Sequence, residues 1–160
     1  MNTTTNNNSN ILKRKDYDHQ MYLDSDPKCR KVLIDYFGKR GIILKEGGQY
    51  DVDLISEDKT KAFEIEHRTS GWITPNKYPY EQITIVGRKF HWFLDELPYK
   101  KVYLVYMSTD FKSFIVTERS IIKPRLINKE YRRAYSGIKG VFTEEDKLFT
   151  PHTDWTHFII

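Results

Sequence analysis

The sequence predicts an α/β sandwich in which a mixed central sheet is flanked by helices. Three observations predict it. A chain of 160 residues is long enough to bury one sizeable core. Helix-like and strand-like segments follow one another as helix, three strands, helix, two strands, and runs of strands between helices argue for helices laid on a sheet. Eleven Tyr, nine Phe and three Trp make up a large part of a hydrophobic content of 39%, and each ring buries a large area.

Residues 1–12 are rich in Asn and Thr, and Lys13-Arg14-Lys15 follows. This composition predicts a disordered basic tail over 1–15, leaving 16–160 as a single domain. The polar and aromatic block Tyr17–Leu23 takes no assignment. A helix starts at Ser25-Asp26-Pro27, where Ser or Asp caps exposed amides and Pro fits the first turn. Cys29, Val32, Leu33, Tyr36 and Phe37 then share one apolar face, which makes Cys29 a core residue rather than a nucleophile. Gly38 and Gly41 stop the helix. Ile42-Ile43-Leu44 is a short buried strand, and Glu46-Gly47-Gly48 turns the chain.

Tyr50–Arg68 reads as two short strands joined at Glu57-Asp58-Lys59. The segment after it, broken by Pro75 and Pro79, carries Trp72, Tyr78 and Tyr80, which either stack on bases or lid the core. Ile83–Val86 is a short extended run. Gly87-Arg88-Lys89 precedes a helix with Phe90, Phe93, Leu94 and Leu97 on one side, ended by Pro98. Lys101–Met107 alternates as a strand, Ser108-Thr109-Asp110 turns it, and Phe111–Thr117 is its hairpin partner. The basic region from Arg125 to Lys139 reads as a helix with a loop. Phe142 to Phe149 reads as an acidic loop, and Trp155–Ile160 as a terminal strand packed on the domain.

The net charge of +4 permits nucleic acid as a partner without requiring it. Its distribution is more informative. Between Arg119 and Lys139 seven Lys or Arg face one acid, Glu130. Lys123, Arg125, Arg132 and Arg133 are candidate contacts to a phosphate backbone; the other reading is a solvated basic face. The single cysteine excludes an internal disulfide and a cysteine zinc cluster. It fits a reducing intracellular setting, cytoplasmic or nuclear. No stretch approaches the roughly 20 apolar residues that span a bilayer, so no membrane partner is expected, and no hydrophobic signal segment opens the chain.

Chemistry concentrates in the hairpin. Strand alternation puts Asp51, Asp53 and Ile55 on one face with Val52 and Leu54 on the other. On the second strand Glu64, Glu66 and Arg68 oppose Phe63, Ile65 and His67. Four carboxylates on one side repel unless a cation sits between them, and the simplest is a divalent metal with oxygen ligands, Mg²⁺ or Mn²⁺. The alternative is an exposed polar face, though opposed carboxylates destabilise a hairpin. Asp53 and Glu64 are the preferred ligands. Asp51 replaces Asp53 if the register slips. Glu46 is either an accessory acid or a solvated turn residue, and His67 is expected to be packed.

This order and this hairpin resemble the PD-(D/E)xK nuclease superfamily, the restriction-endonuclease-like fold. The resemblance runs over about residues 25–117 and implies an αβββαβ core. Asp53-Leu54-Ile55 matches the first motif element, and Ala62-Phe63-Glu64-Ile65-Glu66 the second, with Glu64 eleven residues after Asp53. It implies a Mg²⁺-dependent endonuclease acting on DNA, with Asp53, Glu64 and the Ile65 carbonyl as metal ligands. The superfamily's lysine position holds Glu66, and Val52 stands where its proline would be. A minority of restriction enzymes carry Glu-x-Glu there, and Glu66 would then act as general base or third ligand. Other members supply the lysine from the following helix, where Lys89 and Arg88 lie. A third outcome is a binding-only descendant without catalysis. Arg68 is an accessory cation on the same face. The resemblance leaves a homodimer open, an arrangement common among nucleases that cut both strands.

Overall fold

The structure, a computed structural model, describes residues 26–48, 51–138 and 141–160. The expected tail, the Tyr17–Leu23 block and the Ser25 cap lie outside the described residues. Helix α1 runs through residues 26–38. Gly41 follows with φ +81°, a left-handed conformation that Gly adopts without a Cβ penalty. Three strands come next: β1 (Leu44–Glu46), β2 (Leu54–Ser56) and β3 (Lys61–His67). Then β4 (Ile83–Val86), a 3₁₀ turn (Gly87–Lys89) and α2 (His91–Leu94) lead to β5 (Lys101–Met107) and β6 (Ser113–Glu118). Helix α3 (Arg119–Ile127), β7 (Arg132–Ile138), β8 (Val141–Thr150), a 3₁₀ turn (His152–Asp154) and β9 (Thr156–Ile159) complete the order.

The main sheet has six strands in the order β1-β2-β3-β5-β6-β9. Only β3 and β5 pair in parallel, from Lys61↔Lys101 to His67↔Met107; the other neighbours are antiparallel. The sheet is therefore mixed, as expected. The crossover between β3 and β5 carries β4 and α2, and β4 joins a second sheet, β4-β8-β7.

Both faces of the main sheet are covered, so its central strands are apolar on both sides. Along β5 the odd positions Val105 and Met107 pack with Cys29, Leu33 and Tyr36 of α1. The even positions Leu104 and Tyr106 pack with Ile83, Ile85, Phe93, Ile122 and Leu148 of the second sheet and its helices. Val102 joins a smaller cluster with Val52, Ala62 and Tyr99. Cys29 is fully buried in the α1 layer, and burial pushes its thiol up to about 12.

Four expectations about elements need correction. The first strand begins at Leu44, because the Ile42 N–H is drawn back to the Phe37 carbonyl (2.9 Å) and Ile43 is exposed. Helix α2 ends at Leu94, because Asp95 is already extended (ψ 146°). Leu97 therefore packs with the Val52 cluster, apart from Phe90 and Phe93. The helix expected from Arg125 instead runs over Arg119–Ile127, with Pro124 inside it. The basic segment and the acidic segment, expected as helix-and-loop and loop, are the paired strands β7 and β8. Arg133 lies opposite Asp146 in that ladder, but Arg132 lies opposite Lys147 and Ala134 opposite Glu145, so one opposite-charge pair supports the register and neither apolar alternation nor charge marks the rest. No described helix is long and apolar enough to cross a membrane.

Candidate active site

Strand β2 pairs with β3 only through Leu54↔Phe63 and Ile55↔Ala62. Beyond that pair the Ile65 N–H faces the chain before β2 begins. Asp53 supplies the missing acceptor: its Oδ2 takes the Ile65 N–H at 2.8 Å. Its own carbonyl accepts the Gly47 N–H at 2.9 Å. A Cβ at Gly47 would lie 2.0 Å from the Val52 carbonyl oxygen, so only glycine lets the two segments meet this closely. These contacts fix the Asp53 carboxylate against the middle of β3.

Glu64 lies at that middle, opposite Leu104, and is 8% exposed. The turn Gly87–Lys89 brings Lys89 across it, with Nζ 2.7 Å from Glu64 Oε1. Asp53, Glu64 and Lys89 thus converge from three separate stretches of sequence. Asp53 and Glu64 line a cleft of about 440 Å³ together with Gly47, Asp51, His91 and Trp92. Arg30 of α1 enters the same cleft. It bonds Asp26 one turn before it and Glu46 (2.9 Å), and stands 3.9 Å from Asp53.

Protonation follows from this crowding. Burial raises the Asp53 carboxyl above the usual range, against the Ile65 N–H, Lys89 and Arg30, which lower it. Burial also pushes Glu64 up to about 7; Lys89 opposes that rise and Asp53 adds to it. Burial alone would pull Lys89 down, but Glu64, Glu66 and Asp53 outweigh it and keep the ammonium charged. Two buried carboxylates, Asp53 and Glu64, share one close ammonium, so the pair holds a proton more readily than a lone carboxylate would.

The other expected residues divide. Asp51 and Asp53 are not equivalent, and the four carboxylates do not share one face. Residues 51–53 precede the strand, so simple alternation fails there: Val52 packs with Ala62 and Tyr99, while Leu54 packs with Leu33 and Phe63. Asp51 instead accepts the Tyr99 hydroxyl at 2.7 Å. Burial and that bond push the Tyr99 phenol up to about 12. Glu46 is tied to Arg30. Glu66 faces Arg68 at 3.8 Å, and its Oε2 is buried without a hydrogen-bond partner among the described residues. Arg68 lies 4.3 Å from the Tyr106 ring centre and 5.6 Å from that of Tyr78. Arg88 leaves the site for Glu145, at 3.4 Å. His67 stacks on Phe111 with centroids 4.2 Å apart, in keeping with a packed residue.

The basic candidates lie on α3 and β7, apart from the Asp53–Glu64 cleft. Arg125 bonds Asp154 through two nitrogens (2.6 and 3.1 Å) and Glu130 at 3.0 Å. Arg133 reaches Asp146 at 3.6 Å, and the Arg132 guanidinium lies 4.3 Å from the Phe149 ring centre. Lys123 is half-buried on α3. Sequence reasoning missed Arg30, Tyr99, His91 and Trp92. The Asp26–Arg30 spacing of four residues was a visible signal for the first. Trp92 falls off the side that Phe90 and Phe93 give to the core, which was a signal for the last.

Among the described residues no three His, Cys, Asp or Glu side chains form a ready-made metal cage. The donor set still suits a hard divalent ion. Magnesium typically takes one or two carboxylates and completes its shell with water and substrate phosphate, and Asp53 and Glu64 are two such carboxylates at one cleft. Comparison with family models, curated proteins and solved structures returned no match to this chain.

Proposed function

We propose that this protein is a metal-dependent endonuclease that hydrolyses DNA phosphodiester bonds with Mg²⁺ or Mn²⁺, in the manner of the PD-(D/E)xK superfamily its hairpin resembles. One observation carries the reading: Asp53 and Glu64 line one cleft, and Lys89, arriving from the segment before α2, bonds Glu64 there at 2.7 Å. The lysine that Glu66 displaces from β3 is thereby supplied from elsewhere.

Asp53 and Glu64 would hold the metal, which when bound supplies Lewis-acid relief of phosphate charge and an acidified water. The Ile65 N–H keeps the Asp53 carboxylate in place. Lys89, held charged by its acidic neighbours, would offer its ammonium to the charge that builds on the phosphoryl oxygens. Glu66, on the same face of β3, is the candidate acceptor for the proton the attacking water loses. The P–O bond to the leaving oxygen breaks as the water oxygen bonds phosphorus, and the leaving oxygen takes up a proton.

A second reading is a nucleic-acid-binding module without catalysis. Glu66 favours it, since it is directed to Arg68 at 3.8 Å, and Lys89 already serves Glu64. Incubating the pure protein with plasmid and branched, nicked and single-stranded DNA, with Mg²⁺ or Mn²⁺, separates the two. Metal-dependent cutting that Asp53→Ala abolishes supports the nuclease. Absence of cutting, or equal cutting by that variant, overturns it, and salt-sensitive binding without metal dependence then favours the module.

A further inference from the structure

Trp92 is placed differently from the other two tryptophans. Trp72 and Trp155 are 1% and 8% exposed, sealed among Tyr78, Ile83, Phe93 and their neighbours. Trp92 is half-buried: part of it packs on the Val52, Ala62, Tyr99 and Val102 cluster, and the rest lines the cleft beside Asp53 and Glu64. Its placement follows from the local sequence. In His91–Leu94 the inward position is taken by Phe93, with Phe90 before it. Trp92 and His91 are left on the cleft side, with ring centroids 4.4 Å apart. The same short stretch thus delivers Lys89 to Glu64 and two aromatic rings to the adjoining wall.

We propose that the cleft takes one unpaired nucleotide with its base stacked on Trp92, so that the protein acts on single-stranded rather than intact duplex DNA. This rests on the nuclease reading for its substrate class. Stacking on a protein ring needs a free base face. In a duplex both faces are covered by neighbouring base pairs, and the base must be unstacked before a side chain can reach them. An unpaired base meets no such barrier, and every base offers a π-face, so the contact is tolerant of sequence. The cleft volume of about 440 Å³ suits a ligand of nucleotide size. Arg30 enters on the α1 side, already paired with Asp26 and Glu46, and Lys89 lies against Glu64.

The burial pattern gives the test its readout. With Trp72 and Trp155 sealed in the core, quenching of intrinsic fluorescence reports on Trp92. The full chain is titrated with a short oligothymidylate, and separately with the same strand annealed to its complement, in Ca²⁺, a hard cation that carboxylates also bind, under conditions first checked to give no cutting. The proposal expects quenching by the single strand, weaker binding of the duplex, and a loss of single-strand affinity in Trp92→Ala of roughly 5- to 100-fold. Trp92→Phe, which keeps a stacking ring, should retain most of the affinity; because it removes the fluorophore, it and the Ala variant are compared with wild type by anisotropy of a labelled strand. Equal affinity for single strand and duplex, or no effect of Trp92→Ala in a variant with unchanged thermal melting, overturns the proposal. Metal-dependent cutting of duplex with no role for Trp92 would leave the nuclease standing and this inference refuted. Single-strand binding through Trp92 without any cutting would do the reverse.

Discussion

At the β2–β3 hairpin, carboxylates outnumber the cations close to them, and burial holds Asp53 and Glu64 above their usual range. On the β7–β8 hairpin and α3 the balance is reversed in sequence but settled in space. Arg125 has Asp154 and Glu130, Arg133 has Asp146, and Arg88 reaches Glu145. A run of one charge along the chain therefore says little about the field it makes, because folding brought an oppositely charged run alongside it. The acidic hairpin is only partly relieved: Lys89 meets Glu64, Arg30 stands 3.9 Å from Asp53 and Arg68 3.8 Å from Glu66, yet burial still holds Asp53 and Glu64 above their usual range. Carboxylates held so in a cleft are candidates for binding or catalysis.

The contrast can be sharpened most strongly at Glu64. Glu64→Gln should reduce metal-dependent cutting by about 10²-fold or more, the scale expected when a principal charge-bearing group is lost. The same variant should be more stable than wild type in mildly alkaline, metal-free buffer. A carboxyl with a raised folded pKa binds more protons folded than unfolded, so its contribution to stability is full at acid pH. That contribution is lost as pH rises from the usual carboxylate range through about 7. Urea unfolding at pH 8 should show a gain of roughly 1–3 kcal/mol for Glu64→Gln, vanishing near pH 4.

Lys89→Met tests the other half of the pair and should act in the opposite direction. It strips Glu64 of its ammonium in a covered site, and breaking such a pair costs roughly 3–5 kcal/mol. The loss should shrink as pH falls and Glu64 protonates, and adding Glu64→Gln should recover most of it. A Lys89→Met protein as stable as wild type at pH 8 would mean that the contact at 2.7 Å contributes little.

Smaller effects are expected on the basic side. The double change Arg132→Ala, Arg133→Ala touches two exposed side chains. It should lower the slope of log affinity against log salt for single-stranded DNA by about 1.4 if both reach phosphate, and by nothing if the β8 partners retain them. Smallest is Tyr99→Phe, which removes the hydroxyl that Asp51 accepts. It should cost about 1 kcal/mol in urea unfolding and leave cutting within about twofold of wild type. A large loss of cutting would return Asp51 to the centre of the site and contradict the separation of the two aspartates.

The sequence was most legible where apolar alternation met tight local turns. Lys101–Met107 and Ile83–Val86 are strands with the bounds their patterns suggest. The β2–β3 turn also lies where expected: Asp58 accepts from the Ser56 and Thr60 hydroxyls at 2.6 and 2.7 Å, and Lys59 adopts φ 60°. Legibility failed where the determining partner lay far along the chain. Strand β8 is set by β4, some sixty residues earlier, and by the basic strand opposite it, neither of which leaves a local period. Asp51 stayed a stand-in for the preferred Asp53 because alternation was extended past the end of the strand, which begins only at Leu54. Tyr99 and Ile65, which distinguish them, are far away in sequence. Lys89 was legible as a residue but not as a contact, because nothing local fixes which of Arg88 and Lys89 turns inward.

The central claim is that Asp53 and Glu64 form a site for a divalent cation, and it can be tested without any substrate. Thermal melting of the full chain at pH 8, with and without saturating Mn²⁺, reads it directly. Ligand at a hundred times its dissociation constant stabilises by about 2.7 kcal/mol, or roughly 5–10 °C for a chain of this length. The account predicts such a rise for wild type, and little or none for Asp53→Asn. No rise in wild type, or the same rise in the variant, would contradict it.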